Sequence, residues 1–287
     1  MKQSLRRHTG SLVEELNFLL TNRIPRVGAT RLLGWFSHVE NPWVVRASIA
    51  LWRRLGGLDL SDAVNQNFPT LHACFTRALM PGSRAIDTAA EALVSPCDGY
   101  VMACGPLAGI EAVQAKGLHY TLQDLLGSAE RAERLRNGVY VTLRLSSGMY
   151  HRFHAPVDAL LRHVTHIAGD TWNVNPPAVR RVPSLYCRNE RAVLEMETTG
   201  GLQLLLVPVA AVGVAGLRLH AVRERLGLHY RGPDDIPCAT QYTKGAELGW
   251  FEQGSTVIVI APAGVRLDPG IAAGMRLRMG QRLMLLP

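Results

Sequence analysis

The sequence predicts an α+β chain with a β-rich core, barrel- or sandwich-like, and an N-terminal amphipathic helical arm. Three observations point there. Apolar residues recur at helical spacing through roughly the first 55 positions. From about Leu93 the pattern changes to short runs rich in Val, Ile and Leu, separated by Gly, Pro and Asn. A hydrophobic content of 47% over 287 residues is ample for a sizeable core and excludes disordered and fibrous classes. The arm is expected to occupy residues 1–57 and the core 58–287, with no repeat or convincing linker between them.

Within the arm, Leu12, Leu16, Leu19 and Leu20 lie on one stripe, and Leu32, Leu33, Trp35 and Phe36 on a second short segment. A third helix begins at Asn41-Pro42, a capping residue followed by proline at the first helical position, and ends at Gly56-Gly57. Its Trp43, Val44, Ile49, Trp52 and Leu55 sit beside Arg46, Arg53 and Arg54. Such a helix suits either packing on the core or lying in a lipid interface, with its arginines toward anionic phosphates. In the core, the runs 93–104, 109–116, 138–145, 158–168, 191–198, 202–208, 211–219, 255–261 and 282–286 read as strands. One helical insert, Thr121 to Arg136, interrupts them.

The formal net charge is +8, and 28 of the 31 basic residues are Arg. Residues 1–54 hold nine basic residues against three acidic ones, so the excess is concentrated in the arm. Tryptophans beside aliphatic runs suit a bilayer boundary better than a phosphate groove, which disfavours nucleic acid. Cysteines 74, 97, 104, 187 and 238 are odd in number and widely spaced, as expected of free thiols in a reducing compartment. The basic start, Met1 to Arg7, leads into no compact apolar segment with a cleavage site, and no run reaches about 18 apolar residues. The chain is therefore expected to be neither exported nor membrane-spanning.

There is no P-loop, no Gly-x-Gly-x-x-Gly after a strand and no Gly-x-Ser-x-Gly elbow. Four stretches are dense in catalytic residue types: Ser95-Pro96-Cys97-Asp98-Gly99, Tyr150-His151-Arg152-Phe153-His154-Ala155-Pro156, Asn189-Glu190-Arg191, and Gly254-Ser255-Thr256. The first also reads as a tight turn, and the last as a turn entering a strand. A glycine before a serine permits a strained backbone that presents the preceding carbonyl to the hydroxyl, provided a base removes the proton. His151 and His154, with His163 and His166, form a spaced cluster that admits a metal-dependent hydrolase, although the second pair lies in an alternating strand pattern.

In this order these stretches resemble the phosphatidylserine decarboxylase family of the pyruvoyl-dependent, prokaryotic type. That family carries Ser-Pro-Ala-Asp-Gly, Tyr-His-Arg-x-His-x-Pro, an Asn-Glu-Arg segment and a terminal Leu-Gly-Ser-Thr. The similarity extends from Thr30-Arg31-Leu32-Leu33-Gly34-Trp35 through Phe75-Thr76-Arg77 and Arg84-Ala85-Ile86-Asp87 to Val174-Asn175-Pro176 and Lys244-Gly245-Ala246-Glu247-Leu248-Gly249.

The resemblance implies a proenzyme that cuts itself between Gly254 and Ser255, leaving chains 1–254 and 255–287 associated and converting Ser255 into a pyruvoyl group. It implies that Asp98 orients His154 and that His154 takes the Ser255 proton. The amine of phosphatidylserine would then condense with the pyruvoyl, lose CO2 and leave as phosphatidylethanolamine. His151 is the expected aid to decarboxylation or proton supply, as an imidazole titrating near neutrality. Chemistry independently asks for an electron sink joined to the substrate amine, and only Lys2, Lys116 and Lys244 are available for a pyridoxal alternative. A lipid substrate gives Trp35, Phe36, Trp43, Trp52, Arg46, Arg53 and Arg54 a purpose as a peripheral contact with an anionic membrane, on its cytoplasmic face. A homodimer is admitted, and oligomeric state, acyl-chain preference and a role for Asn189, Glu190 and Arg191 are left open. Cys97 replaces the family's alanine, and Gln253 stands where an apolar residue is usual, which bears on cleavage rate. A non-catalytic lipid-binding protein on the same scaffold is the rival reading.

Overall fold

The run Val257-Ile258-Val259-Ile260-Ala261 is apolar at every position, the pattern of a strand covered on both faces, and all five residues are fully buried. In the computed structural model it forms the centre of an eight-stranded sheet. The structure describes residues 26–115, 117–211, 216–227, 230–252 and 255–287, with Ser255 described by its backbone. The predicted Leu12–Leu20 stripe, Lys116, Gln253 and Gly254 lie outside the described residues.

The helices are α1 (Arg26–Ser37), α2 (Pro42–Gly56), α3 (Leu71–Phe75), α4 (Leu122–Leu126), α5 (Ala129–Arg134), α6 (Pro176–Val179) and α7 (Leu185–Arg188). The strands are β1 (Ala92–Val94), β2 (Gly99–Pro106), β3 (Glu111–Ala115), β4 (Leu118–Thr121), β5 (Val139–Leu145), β6 (Arg152–His154), β7 (Ala159–Ile167) and β8 (Arg191–Thr198). They continue as β9 (Gln203–Ala210), β10 (Leu217–Leu219), β11 (Asp235–Tyr242), β12 (Glu247–Phe251), β13 (Ser255–Ala261), β14 (Arg266–Leu267), β15 (Arg276–Leu277) and β16 (Arg282–Leu285).

The α+β class holds, with antiparallel sheets throughout, but the large sheet is open. Its order, β11-β7-β8-β9-β13-β5-β2-β15, leaves β11 and β15 at the edges, so the barrel form of the expectation is corrected to an open sheet covered on both faces. One face buries Leu143, Phe153, Leu194, Val257 and Val259, and the other buries Tyr140, Val193, Val207, Ile258 and Ile260. The small sheet β10-β12-β6 and the sheet β1-β16-β14 accompany it.

The run expected at 93–104 breaks into β1 and β2 because Ser95–Asp98 turns between them. The helical insert divides into α4 and α5 at Gly127, which takes a left-handed φ of 65° and caps α4. Helix α2 matches its expected ends: the Asn41 side chain accepts from the Trp43 and Val44 amides, and Gly57 closes it at φ 64°. Helix α2 turns Ile49 and Trp52 toward a satellite core of Leu58, Leu60, Ala63 and Cys74, so the arm is anchored. Trp35 and Trp43 remain 67% and 80% exposed, with Leu32, Leu33, Leu51 and Leu55 also outward. Trp52 corrects the interface expectation, because its ring stacks on Phe75 at 6.0 Å and faces inward.

Candidate active site

Antiparallel register collects the site at one end of the large sheet. Strand β2 starts at Gly99 and pairs Tyr100 with Arg144; β13 starts at Ser255 and pairs it with Leu145 on one side and Ala210 on the other. The Asp98 turn, the end of β5 and the start of β13 are thus brought side by side although they are far apart in sequence. Strand β6 crosses near them. The His154 amide donates to the Pro96 carbonyl at 2.8 Å, His154 pairs with Glu247 on β12, and the Phe251 amide donates to the His151 carbonyl at 3.0 Å. Strand β12 in turn leads to Ser255.

Asp98 is 3% exposed, and its charge is met by a fork. Arg84 donates from Nε to Oδ1 at 2.9 Å and from Nη2 to Oδ2 at 2.6 Å, and the Met279 amide adds a third bond to Oδ1 at 2.9 Å. The remaining Arg84 nitrogen, Nη1, reaches Asp62 at 2.6 Å. Burial works against the Arg84 charge, but the two carboxylates outweigh it and hold the guanidinium firmly protonated.

His154 is bound at both ring nitrogens. Nδ1 lies 2.9 Å from the Gly245 carbonyl, which can only accept, so the proton sits on Nδ1 and the lone pair on Nε2. The Tyr150 hydroxyl donates to that lone pair at 3.0 Å. The Asp98 carboxylate is occupied by Arg84 and the Met279 amide, and its charge acts on His154 through space. Burial holds the His154 imidazole below its ordinary range, only partly offset by the Gly245 carbonyl and the charges of Glu247 and Asp98.

His151 is fully buried. Its Nδ1 donates to the Met149 carbonyl at 2.8 Å, the Phe75 ring lies 3.9 Å from its own ring centre, and Nε2 has no hydrogen-bond partner among the described residues. Burial pushes its pKa down to about 3, so titration near neutrality is corrected as well: this imidazole is neutral and offers an acceptor. Helix α3 supplies Phe75, and Arg77 just beyond it donates to the Gly148 carbonyl at 3.0 Å, fastening the segment after α3 to the 146–149 turn. Gly148 is required there, because a Cβ would lie 2.5 Å from the Gly56 carbonyl oxygen.

Sequence reasoning quoted Arg84 and Tyr150 inside their motifs but gave neither a role. Their spacing to Asp98 and His154 was the available signal, and it carries no information about which nitrogen meets which oxygen. His163 and His166 do not join the other histidines: His163 lies 3.6 Å from Asp235, and His166 bonds Glu190. Among the described residues no group of His, Cys, Asp and Glu is arranged to hold a metal ion, and the hydrolase reading loses its basis.

The model of the family described as phosphatidylserine decarboxylase matches residues 71–285. The chain belongs to the phosphatidylserine decarboxylase family. Among its relatives, the phosphatidylserine decarboxylase proenzyme of Halorhodospira halophila is 41% identical over 276 residues, spanning 93% of this chain and 91% of the relative. The proenzymes of Methylococcus capsulatus and Marinobacter nauticus are each 35% identical, over 91% and 92% of this chain and 93% and 96% of their own lengths. The match takes in Asp98, both motif histidines and Ser255.

Lys244, one of three lysines, donates its Nζ to the Asp87 and Ala89 carbonyls at 3.4 and 2.7 Å, which ties it to the β1 approach. The site instead offers residue 255 at the mouth of a doubly paired strand, and, at His151, a buried imidazole nitrogen with no partner among the described residues. That donor set fits a family cofactor made from the chain itself.

Proposed function

We propose that the chain is a self-processing phosphatidylserine decarboxylase. The observation that carries this reading is the register that puts Ser255 at the same sheet end as Asp98, with the His154 segment hydrogen-bonded both to the Asp98 turn and to the strand that leads into Ser255. His154 holds its lone pair on Nε2, the form needed to take a hydroxyl proton, and the Arg84-held Asp98 charge favours the imidazolium that results. Ser255 then attacks the preceding carbonyl, and the chain parts into 1–254 and 255–287.

Ser255 would become the pyruvoyl group, whose carbonyl supplies the electron sink for the pair left behind when CO2 departs. His151, neutral and with an Nε2 that has no partner among the described residues, is suited to accept a hydrogen bond from the bound headgroup and so aid decarboxylation, while Phe75 packs against its ring. The substrate is phosphatidylserine and the product phosphatidylethanolamine.

No described helix is long and apolar enough to cross a membrane. The outward Trp35, Phe36 and Trp43, with exposed Arg46, Arg53 and Arg54, support peripheral docking of the arm on an anionic bilayer. The arm, residues 1–57, is thus the docking unit and 58–287 the catalytic one.

Intact-mass measurement of Ser255→Ala, His154→Ala and His151→Ala tests the assignment. The first two should remain whole, and the third should cleave substantially but turn over poorly. Equal loss of cleavage in all three contradicts the division of roles.

A further inference from the structure

A neutral imidazole has one nitrogen lone pair, and a single hydrogen bond fills it. In His154 that lone pair is on Nε2, because Nδ1 donates to the Gly245 carbonyl, and the Tyr150 hydroxyl already donates into it at 3.0 Å. The nitrogen assigned to take the Ser255 proton is therefore occupied.

Tyr150 is built into this place. Leu145 is the register partner of Ser255, and the 146–149 turn, closed by the Met149 amide on the Ser146 carbonyl at 2.9 Å, leads directly into Tyr150. The residue is 4% exposed, its ring lies 5.7 Å from the His154 ring, and the Arg84 guanidinium stands 6.0 Å from its ring centre. Its hydroxyl has no other hydrogen-bond partner among the described residues. Burial, and after it the charge of Glu247, push the phenol pKa well up, so this group is a firm donor and a poor carrier of protons.

The charges around the imidazole are committed elsewhere. Asp98 is forked by Arg84, and Glu247 is met by Arg152 at 3.0 Å and by His220 at 2.9 Å. Glu247 and Asp98 act on the ring through space, and Arg152 opposes them. Among the described residues only the Gly245 carbonyl and the Tyr150 hydroxyl bond its nitrogens.

We propose that Tyr150 is a positioning residue for self-cleavage: its hydroxyl holds the His154 lone pair, keeps the ring neutral and oriented, and yields the lone pair when the Ser255 hydroxyl takes its place. This rests on the self-processing reading and adds the step before proton transfer. The hydrogen bond from Tyr150 to His154 breaks first. The Ser255 O–H bond then breaks with its electrons left on oxygen, and the proton forms an N–H bond on Nε2. Tyr150 keeps its own proton throughout.

A hydrogen bond to the neutral form disfavours protonation, so removing it raises the His154 pKa. The neutral ring also reacts faster, because there is no bond left to break. Both effects come from one free energy, and they cancel where the ring is protonated, since a protonated Nε2 accepts nothing from Tyr150.

The full chain is made by cell-free synthesis, chased at set pH and followed on gels for loss of the whole form. Tyr150→Phe should cleave about threefold to tenfold faster on the alkaline plateau, with its acid limb moved up by about half to one pH unit. The two profiles should merge on the acid side. Slower cleavage at every pH, the result if Tyr150 itself passed the proton, overturns the proposal, and so does an unmoved limb. Should the phenylalanine variant not accumulate, nitrogen NMR of histidine-labelled Ser255→Ala decides. A proton on His154 Nδ1 and a Tyr150 hydroxyl proton bonded to Nε2 are expected, and a proton on Nε2 overturns the proposal. A native chain that stays whole at every pH marks failure of the Ser255 reading instead, and the same spectra then decide the hydrogen bond by itself.

Discussion

At the scale of single residues, buried charge and buried imidazole set the behaviour. Arg84→Ala would leave Asp98 enclosed with only the Met279 amide, and breaking a buried pair in this way costs about 3–5 kcal/mol. Urea denaturation should show that loss together with slow self-cleavage, while Arg84→Lys, which keeps charge but not the fork, should lose less. His151 gives a pH signature. Its native pKa is about 3 against 6.5 for an ordinary histidine, so between those values the unfolded chain binds the extra proton and stability falls as pH falls. The slope is at most about 1.4 kcal/mol per pH unit, and the lowered His154 acts in the same direction. Denaturation midpoints should drop from pH 7 to pH 4, and His151→Gln should flatten the decline; an unchanged slope would mean that His151 is not buried neutral.

Elements differ in how much of them could be read in advance. Helix α2 was legible at both ends because capping is local chemistry: Asn41, Pro42 and Gly57 act on neighbouring peptides. Its inward face was not, since the partner of Trp52 is Phe75, on another helix. The fully apolar run that became β13 was legible as a strand, though not its central place, whereas β11, with alternate residues half-exposed and a Pro at 237, carried too weak an apolar pattern to be seen. The Asp98 turn was legible as a motif, yet the partners of Asp98 come from Arg84 and Met279, on opposite sides of it in sequence. Two outcomes belong at this scale. Trp35→Ser with Trp43→Ser should weaken co-sedimentation with anionic vesicles at least about tenfold, since burying one large side chain contributes about 1.5–3 kcal/mol; unchanged binding would remove the docking role. Gly148→Ala should push the end of α2 away and expose His151 to diethyl pyrocarbonate, with the unsubstituted protein expected to react far more slowly there because His151 is fully buried.

On the scale of the whole molecule, the proposed cut before β13 would divide the chain but not the fold. Strand β13 is paired with β5 and β9 on its two sides, and β16 is paired with β1, so the short product holds its place by two sheets. Val257, Ile258, Val259 and Ile260 alone bury side chains worth together roughly 6–12 kcal/mol. The two products should therefore co-elute in native buffer and separate only in denaturant. Met279 would lie on the short product and Asp98 on the long one, so the bond between them would help keep the site assembled after the proposed cut. The most direct measurement is the intact mass of freshly purified protein alongside Ser255→Ala, each then supplied with phosphatidylserine. Two masses for the native protein, one for the variant, and CO2 release by the native protein alone are expected; CO2 release from a chain that stays whole would contradict the account.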